Sequence, residues 1–136
     1  MGDTPEETIK TYSYLSQQMA KRNLAYVQFV RYLHDFDDAK RGTPIDVYQF
    51  KQYLKESETV FILNGYYTNG EEGEKELVNN KADAISYGRV FIGNPDLVYR
   101  LKHNIELTSS DSLTFYKYPN KQPEVGYNDY KSTLQN

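Results

Sequence analysis

Cysteine and tryptophan are both absent from the 136 residues. Without a thiol there is no disulfide framework, no thiolate metal site and no cysteine nucleophile. The chain also lacks a phosphate-cradling P-loop, a His-Glu-x-x-His metal helix and a nucleophile elbow. Its apolar runs are about one strand long, against the roughly 20 residues of a membrane span. Met1-Gly2-Asp3-Thr4-Pro5 has neither the basic nor the apolar part of an export signal, so a cytoplasmic protein without membrane contact is expected. Excess positive charge is missing too: 16 Lys and Arg against 19 Asp and Glu give a net charge of −3, and no bulk pull toward nucleic acid. No repeat or low-complexity tract interrupts a length suited to one domain.

Aromatic side chains are plentiful, with 14 tyrosines and 6 phenylalanines. They are spread along the chain without an interleaved basic stripe, which points to core and edge packing rather than base stacking. Thr4-Pro5-Glu6-Glu7 reads as a capped helix start, and Ile9, Tyr12, Leu15 and Met19 recur at near-helical spacing. Leu24 to Val30 is apolar at alternate and intervening positions alike, the pattern of a strand covered on both faces. Residues 31–42 are polar. Pro44 and Asp46 open a second helix with Val47, Phe50 and Leu54 inward.

Val60-Phe61-Ile62-Leu63 forms a second strand ending in Asn64-Gly65, and a helix over Glu71 to Asn79 carries acids in its first turns. The third strand, Ala84 to Tyr87, ends in Gly88-Arg89. Asn94-Pro95-Asp96 caps a last helix with Leu97, Val98 and Leu101 inward and His103 at its C-terminal end. Strands near 25–30, 59–63 and 84–87 separated by helices predict parallel βαβ units with right-handed crossovers. The partition expected is βα units over 1–106 and an extended, aromatic-containing tail over 107–136.

The two glycine-bearing strand ends are the features most suited to chemistry. Neighbouring parallel strands lie about 4.8 Å apart, so both exits can aim backbone N–H groups at one anion, with Arg89 adding charge. Equally, Asn64-Gly65 is an ordinary turn sequence and Arg89 an ordinary surface residue. His34 lies in an acidic stretch, Asp35-Phe36-Asp37-Asp38, whose spacing fits neither a calcium loop nor a zinc pair, so no metal is expected.

Taken together, several stretches closely resemble the C-terminal part of the old yellow enzymes. They are Leu24-Ala25-Tyr26-Val27, Asn64-Gly65-Tyr66-Tyr67-Thr68, Tyr87-Gly88-Arg89-Val90-Phe91-Ile92-Gly93-Asn94-Pro95-Asp96-Leu97, Thr114-Phe115-Tyr116 and Gly126-Tyr127-Asn128-Asp129-Tyr130. These FMN-dependent NADPH dehydrogenases are built on a (β/α)8 TIM barrel. The resemblance implies an α/β fold in which the three strands are the sixth, seventh and eighth of the barrel. It further implies FMN as cofactor, NADPH as electron donor, and an FMN phosphate held by Gly65 and Tyr66 on one side and by Gly88 and Arg89 on the other. Phe115 and Tyr116 are then candidates for a wall near the flavin ring.

The chain departs from that family in carrying Val30-Arg31 where Glu-Pro is common. The family's substrate-anchoring histidine, its proton-donating tyrosine and the basic residue at the flavin's pyrimidine end have no matching position here. No catalytic residue is therefore assigned. Three strands cannot close a barrel, so exposed strand edges and one sheet face meeting water are expected. That face holds Val27, Phe29, Phe61 and Leu63 or the residues between them. Two readings follow: a truncated flavin oxidoreductase inactive alone, or a non-catalytic relic or interaction module. In either, the edges pair with a complementary barrel half or a second copy.

Overall fold

The structure is a computed structural model that describes residues 4–32, 43–116 and 122–134, so His34 and its acidic neighbours lie outside the described residues. The chain forms two compact units, one of residues 1–65 and 73–86, the other of residues 66–72 and 87–136.

The first unit opens with α1 (Pro5–Ala20). Its start is the expected capping box: Glu7 N donates to Thr4 Oγ1 at 3.3 Å, and Thr4 N donates back to Glu7 Oε2 at 3.1 Å. Two of the orphan amides at the helix start are satisfied this way. The inward face differs from the one expected. Ser16 is fully buried while Tyr12 and Leu15 stay partly exposed, because a small residue lets the helix approach its neighbours closely. The Ser16 hydroxyl bonds back to the Tyr12 carbonyl at 2.7 Å.

Strands β1 (Tyr26–Val30), β2 (Val60–Asn64) and β3 (Ala84–Ser86) form a parallel sheet in the order β1-β2-β3. The register sets Val27 beside Phe61 and Phe29 beside Leu63, and Leu63 beside Ile85. A 3₁₀ helix over Val47–Leu54, capped by Asp46 on the Tyr48 amide at 3.0 Å, buries the expected Val47, Phe50 and Leu54. Phe29 stacks on Phe50 at 5.4 Å and on Phe61 at 5.1 Å, and Tyr12 reaches Phe50 at 5.8 Å. Each such buried ring contributes roughly 1.5–3 kcal/mol.

β1 is not covered on both faces as its sequence suggests. Val27 and Phe29 are buried, but Tyr26, Gln28 and Val30 are exposed, as is Val60 on β2. The face meeting water is therefore the set between Val27, Phe29, Phe61 and Leu63. Asp83 secures the start of β2, accepting from the Phe61 amide at 2.8 Å while pairing with Lys51 at 2.8 Å.

Between β2 and β3 runs α2 (Gly70–Val78), close to the helix expected over 71–79. In the second unit α3 (Arg89–Gly93) and α4 (Leu97–Lys102) are joined by Asn94-Pro95-Asp96. Asn94 is fully buried. Its amide donates to the carbonyls of Val90 at 2.8 Å and Thr108 at 3.0 Å, and its oxygen accepts the Thr108 N–H at 2.8 Å. Beside it, a Cβ added to Gly93 would stand 2.8 Å from the Thr108 carbonyl oxygen.

Asp96 does not cap α4 with its side chain. Its carboxylate instead accepts from Arg100 Nε at 2.8 Å, from Thr133 N at 2.7 Å and from the Thr133 hydroxyl. The Thr133 hydroxyl, against the opposing effect of burial, and then Arg100 and the Thr133 amide hold this carboxyl well below the usual carboxylate range. Leu97 and Arg100 form the buried side of α4, whereas Val98, expected inward, is exposed. A three-residue step along a helix keeps one face, so Arg100 shares Leu97's side and Val98 turns away from it. Burial of Arg100 is tolerated because Asp96 and the Glu106 carbonyl, 2.8 Å away, take its donors.

Hydrogen bonds link several of the described residues beyond 107. The Thr114 hydroxyl lies 2.7 Å from the carbonyl oxygens of both Asp111 and Gly126. Tyr130 accepts the Asp111 N–H at 3.1 Å.

Candidate functional site

The end of β2 is built into the first unit. Asn64 Nδ2 donates to the Ser86 carbonyl at 3.0 Å and to Ser86 Oγ at 3.2 Å, tying the C-terminal ends of β2 and β3. On the other side the Arg31 N–H donates to the Asn64 carbonyl at 2.9 Å, extending the β1 pairing by one residue. Gly65 follows with φ +135°, in the range that favours glycine. A Cβ there would also stand 2.9 Å from Arg31 Cβ. The Arg31 guanidinium donates to the Gly65 carbonyl through Nε at 3.1 Å and through Nη2.

Arg31 is itself held. Its Nη1 pairs with Glu76 Oε1 at 3.3 Å, and the same oxygen accepts the Tyr48 hydroxyl at 2.9 Å. Lys81 lies 3.6 Å from Glu76 Oε2 and 4.5 Å from the centre of the Tyr48 ring. Burial first, and then its bond to Glu76, raises the Tyr48 hydroxyl above its ordinary pKa, so the phenol stays protonated and donates. The sequence signal for this cluster is slight: one arginine at the end of a strand and a glutamate 45 residues later.

The second unit contains Tyr66, Gly88 and Arg89. Tyr66 has φ +55° and a half-exposed ring, and the Arg89 guanidinium carbon lies 5.6 Å from that ring's centre, within cation–π range. Gly88 occupies the position before α3, and a Cβ placed on it would meet nothing within 4 Å. The loop after Tyr66 is fixed by Glu72, whose carboxylate accepts the Thr68 N–H and hydroxyl, each at 3.2 Å, while Asn69 Oδ1 accepts the Glu72 N–H at 2.9 Å. Tyr87 donates its hydroxyl to the Asn69 carbonyl at 3.0 Å. Burial, and secondarily the Glu72 charge, raise its pKa and keep it a donor.

Among the residues singled out from the sequence, Tyr66 and Arg89 are thus in contact, with Gly88 adjacent in the chain. Phe115 is buried in the second unit, and Tyr116 beside it is almost fully exposed, their rings 6.4 Å apart and near perpendicular. His103 follows the last turn of α4, its ring 4.3 Å from that of Tyr99. Among the described residues no cluster of three or more His, Asp or Glu is arranged to hold a metal. No described helix is long and apolar enough to cross a membrane.

Chemically, Arg89 and the glycine-flanked backbone suit an anion. Within the second unit Arg89 brings a guanidinium beside Tyr66, and the α-carbon of Gly88 faces open space. Recognition of a phosphate monoester calls for charge-assisted donors and close backbone approach.

Comparison with known proteins identifies the family. Residues 2–108 match the NADH:flavin oxidoreductase / NADH oxidase family. The flavin oxidoreductase hxnT of Emericella nidulans is 36% identical, the match covering 89% of this chain and 34% of that protein. The solved structure of a morphinone reductase superimposes with a TM-score of 0.72 at 31% identity, over 97% of this chain and 32% of that one. The old yellow enzyme from Trypanosoma cruzi gives a TM-score of 0.71 at 29% identity, over 90% of this chain and 29% of that one. The chain therefore spans about a third of the length of these relatives. With the family match running through both strand ends and the Gly88-to-Leu97 stretch, the chain belongs to the NADH:flavin oxidoreductase / NADH oxidase family, that of the old yellow enzymes.

Proposed function

We propose that this chain supplies the phosphate-holding part of an FMN site in a flavin oxidoreductase. β1, β2 and β3 correspond, in this reading, to the sixth, seventh and eighth strands of a (β/α)8 barrel, whose phosphate site often follows strands seven and eight. Tyr26, Val30 and Val60, exposed on the sheet, then belong to the face that the interior of such a barrel covers.

The observation that carries the reading is the contact of Arg89 with Tyr66 next to the open α-carbon of Gly88. Arg89 would provide a planar, permanently charged donor to the phosphate, and stacking on Tyr66 limits the side chain's freedom before the ligand arrives. The Tyr66 and Gly88 peptides would add N–H donors, Gly65 giving the turn into Tyr66. Tyr116, exposed beside buried Phe115, is the better placed of that pair to present a ring to a flat ligand. When bound, the flavin supplies hydride transfer from a reduced nicotinamide, with NADPH the donor expected from the resemblance.

Quenching of FMN fluorescence by the chain and by its Arg89→Ala variant tests this reading. The variant should lose most of the affinity; equal binding by both would place the phosphate elsewhere.

A further inference from the structure

The Arg31 guanidinium meets the Gly65 carbonyl through both Nε and Nη2. No peptide bond among the described residues is cis. In a trans peptide the C=O and the following N–H point in opposite directions. Holding the Gly65 carbonyl toward Arg31 therefore points the following N–H, that of Tyr66, away from the guanidinium. Gly65 and Tyr66 both have positive φ, +135° and +55°, so this peptide joins two residues in backbone conformations that L side chains seldom adopt. The Arg31 guanidinium is the side-chain contact that holds this peptide's carbonyl.

The anchor is itself braced. Glu76, nearly buried, takes Arg31 Nη1 at 3.3 Å and the Tyr48 hydroxyl at 2.9 Å on one oxygen. Tyr48 orients Glu76, Glu76 orients Arg31, and Arg31 orients the Gly65–Tyr66 peptide.

We propose that Arg31 is a positioning residue for anion recognition, fixing the Gly65–Tyr66 peptide so that the Tyr66 N–H is presented to the ligand phosphate. The inference rests on the FMN reading above and adds to it a residue that does not itself touch the ligand. It separates two roles for arginine in this chain, Arg89 acting by charge and Arg31 through the backbone.

The test compares FMN with riboflavin, which lacks the phosphate, by fluorescence titration of the full 136-residue chain. The unaltered chain should prefer FMN, and Arg89→Ala should abolish that preference. Arg31→Met should weaken FMN binding about ten- to hundredfold, the equivalent of one charge-assisted contact, and leave riboflavin binding unchanged. Arg31→Lys, which retains one donor for the carbonyl, should restore part of the loss. An Arg31→Met variant that keeps the full preference for FMN overturns the positioning role while leaving the FMN reading intact. Equal loss of FMN and riboflavin affinity, with no recovery in Arg31→Lys, also overturns it, because that pattern reports general collapse. An unaltered chain with no preference for FMN removes both proposals.

Discussion

The first unit is assembled by rings and the second by polar side chains. Phe29, Phe50 and Phe61 stack at 5.1–5.4 Å across sheet and 3₁₀ helix, and Phe61 and Phe50 have no exposed surface. In the second unit buried polar side chains, Asn94, Asp96, Arg100 and Thr114, tie the chain together, three of them to segments 12 to 37 residues away. Apolar contacts are non-directional and survive small shifts of register, whereas a buried amide or carboxylate holds its partner in one geometry or loses it. The two units should therefore fail differently.

The largest effect is expected in the first unit. Phe61→Ala should cost about 3–5 kcal/mol, through lost burial and the cavity left against Phe29. That loss approaches the ~5–15 kcal/mol net stability of a typical domain. Chemical denaturation followed by far-UV circular dichroism should show the midpoint collapse; a shift below about 1 kcal/mol would mean the ring stack is not the centre of the core.

Asn94→Ala should cost about 1–3 kcal/mol for each partner left buried and unpaired, and the damage should be confined to the second unit. Amide exchange at Thr108, whose N–H has Asn94 Oδ1 as its acceptor, is the direct readout. Acceleration there without acceleration at Phe61 and Leu63 is expected. Uniform acceleration would erase the distinction between the units.

Acid should also separate the units. The Asp96 carboxyl titrates below its unfolded value, which is near 3.9, so the native state binds fewer protons than the unfolded state in that range. Its stabilisation is complete above about pH 4 and fades as pH falls through the lower, folded value. Thermal melts across that range should show a steep acid loss in the unaltered chain and a shallower one in Asp96→Asn. Parallel curves would mean that Asp96 gains nothing from Thr133 and Arg100.

The smallest expected effect is on turnover. The 136 residues mixed with FMN and NADPH should oxidise NADPH no faster than FMN alone. Hydride transfer needs the reacting atoms held about 3–3.5 Å apart, a constraint worth roughly 7–11 kcal/mol, and a phosphate clamp does not fix the ring. Turnover above the free-flavin control that disappears in Arg89→Ala would overturn this expectation.

The same contrast explains what the sequence made legible. The strands, their parallel order, the Thr4–Glu7 cap and the inward Val47, Phe50 and Leu54 follow from periodicity and cap chemistry, which are local. The pairing of Asp96 with Thr133, 37 residues away, and the reach of Arg31 to Gly65 are long-range hydrogen bonds, and no periodicity encodes them. Periodicity also misplaced Val98 and favoured Leu15 over Ser16, because apolar spacing marks candidate faces without saying which face the fold covers. At the candidate site the glycines and Arg89 were visible as motifs, while the cluster of Arg31, Glu76 and Tyr48 was not.

Gly93 carries a consequence for how this region tolerates genetic change. Any other amino acid brings a Cβ, and here that carbon would meet the Thr108 carbonyl oxygen at 2.8 Å and Ser110 Cβ at 3.1 Å. Backbone cannot yield as the tip of a flexible side chain can, so the segment carrying residues 108–110 would have to move, together with its bonds to Asn94. Every missense change in that codon, including the mildest to alanine, therefore meets the same obstruction. In a saturation library, position 93 should read as intolerant throughout, while neighbouring Val98, exposed on α4, should accept most substitutions.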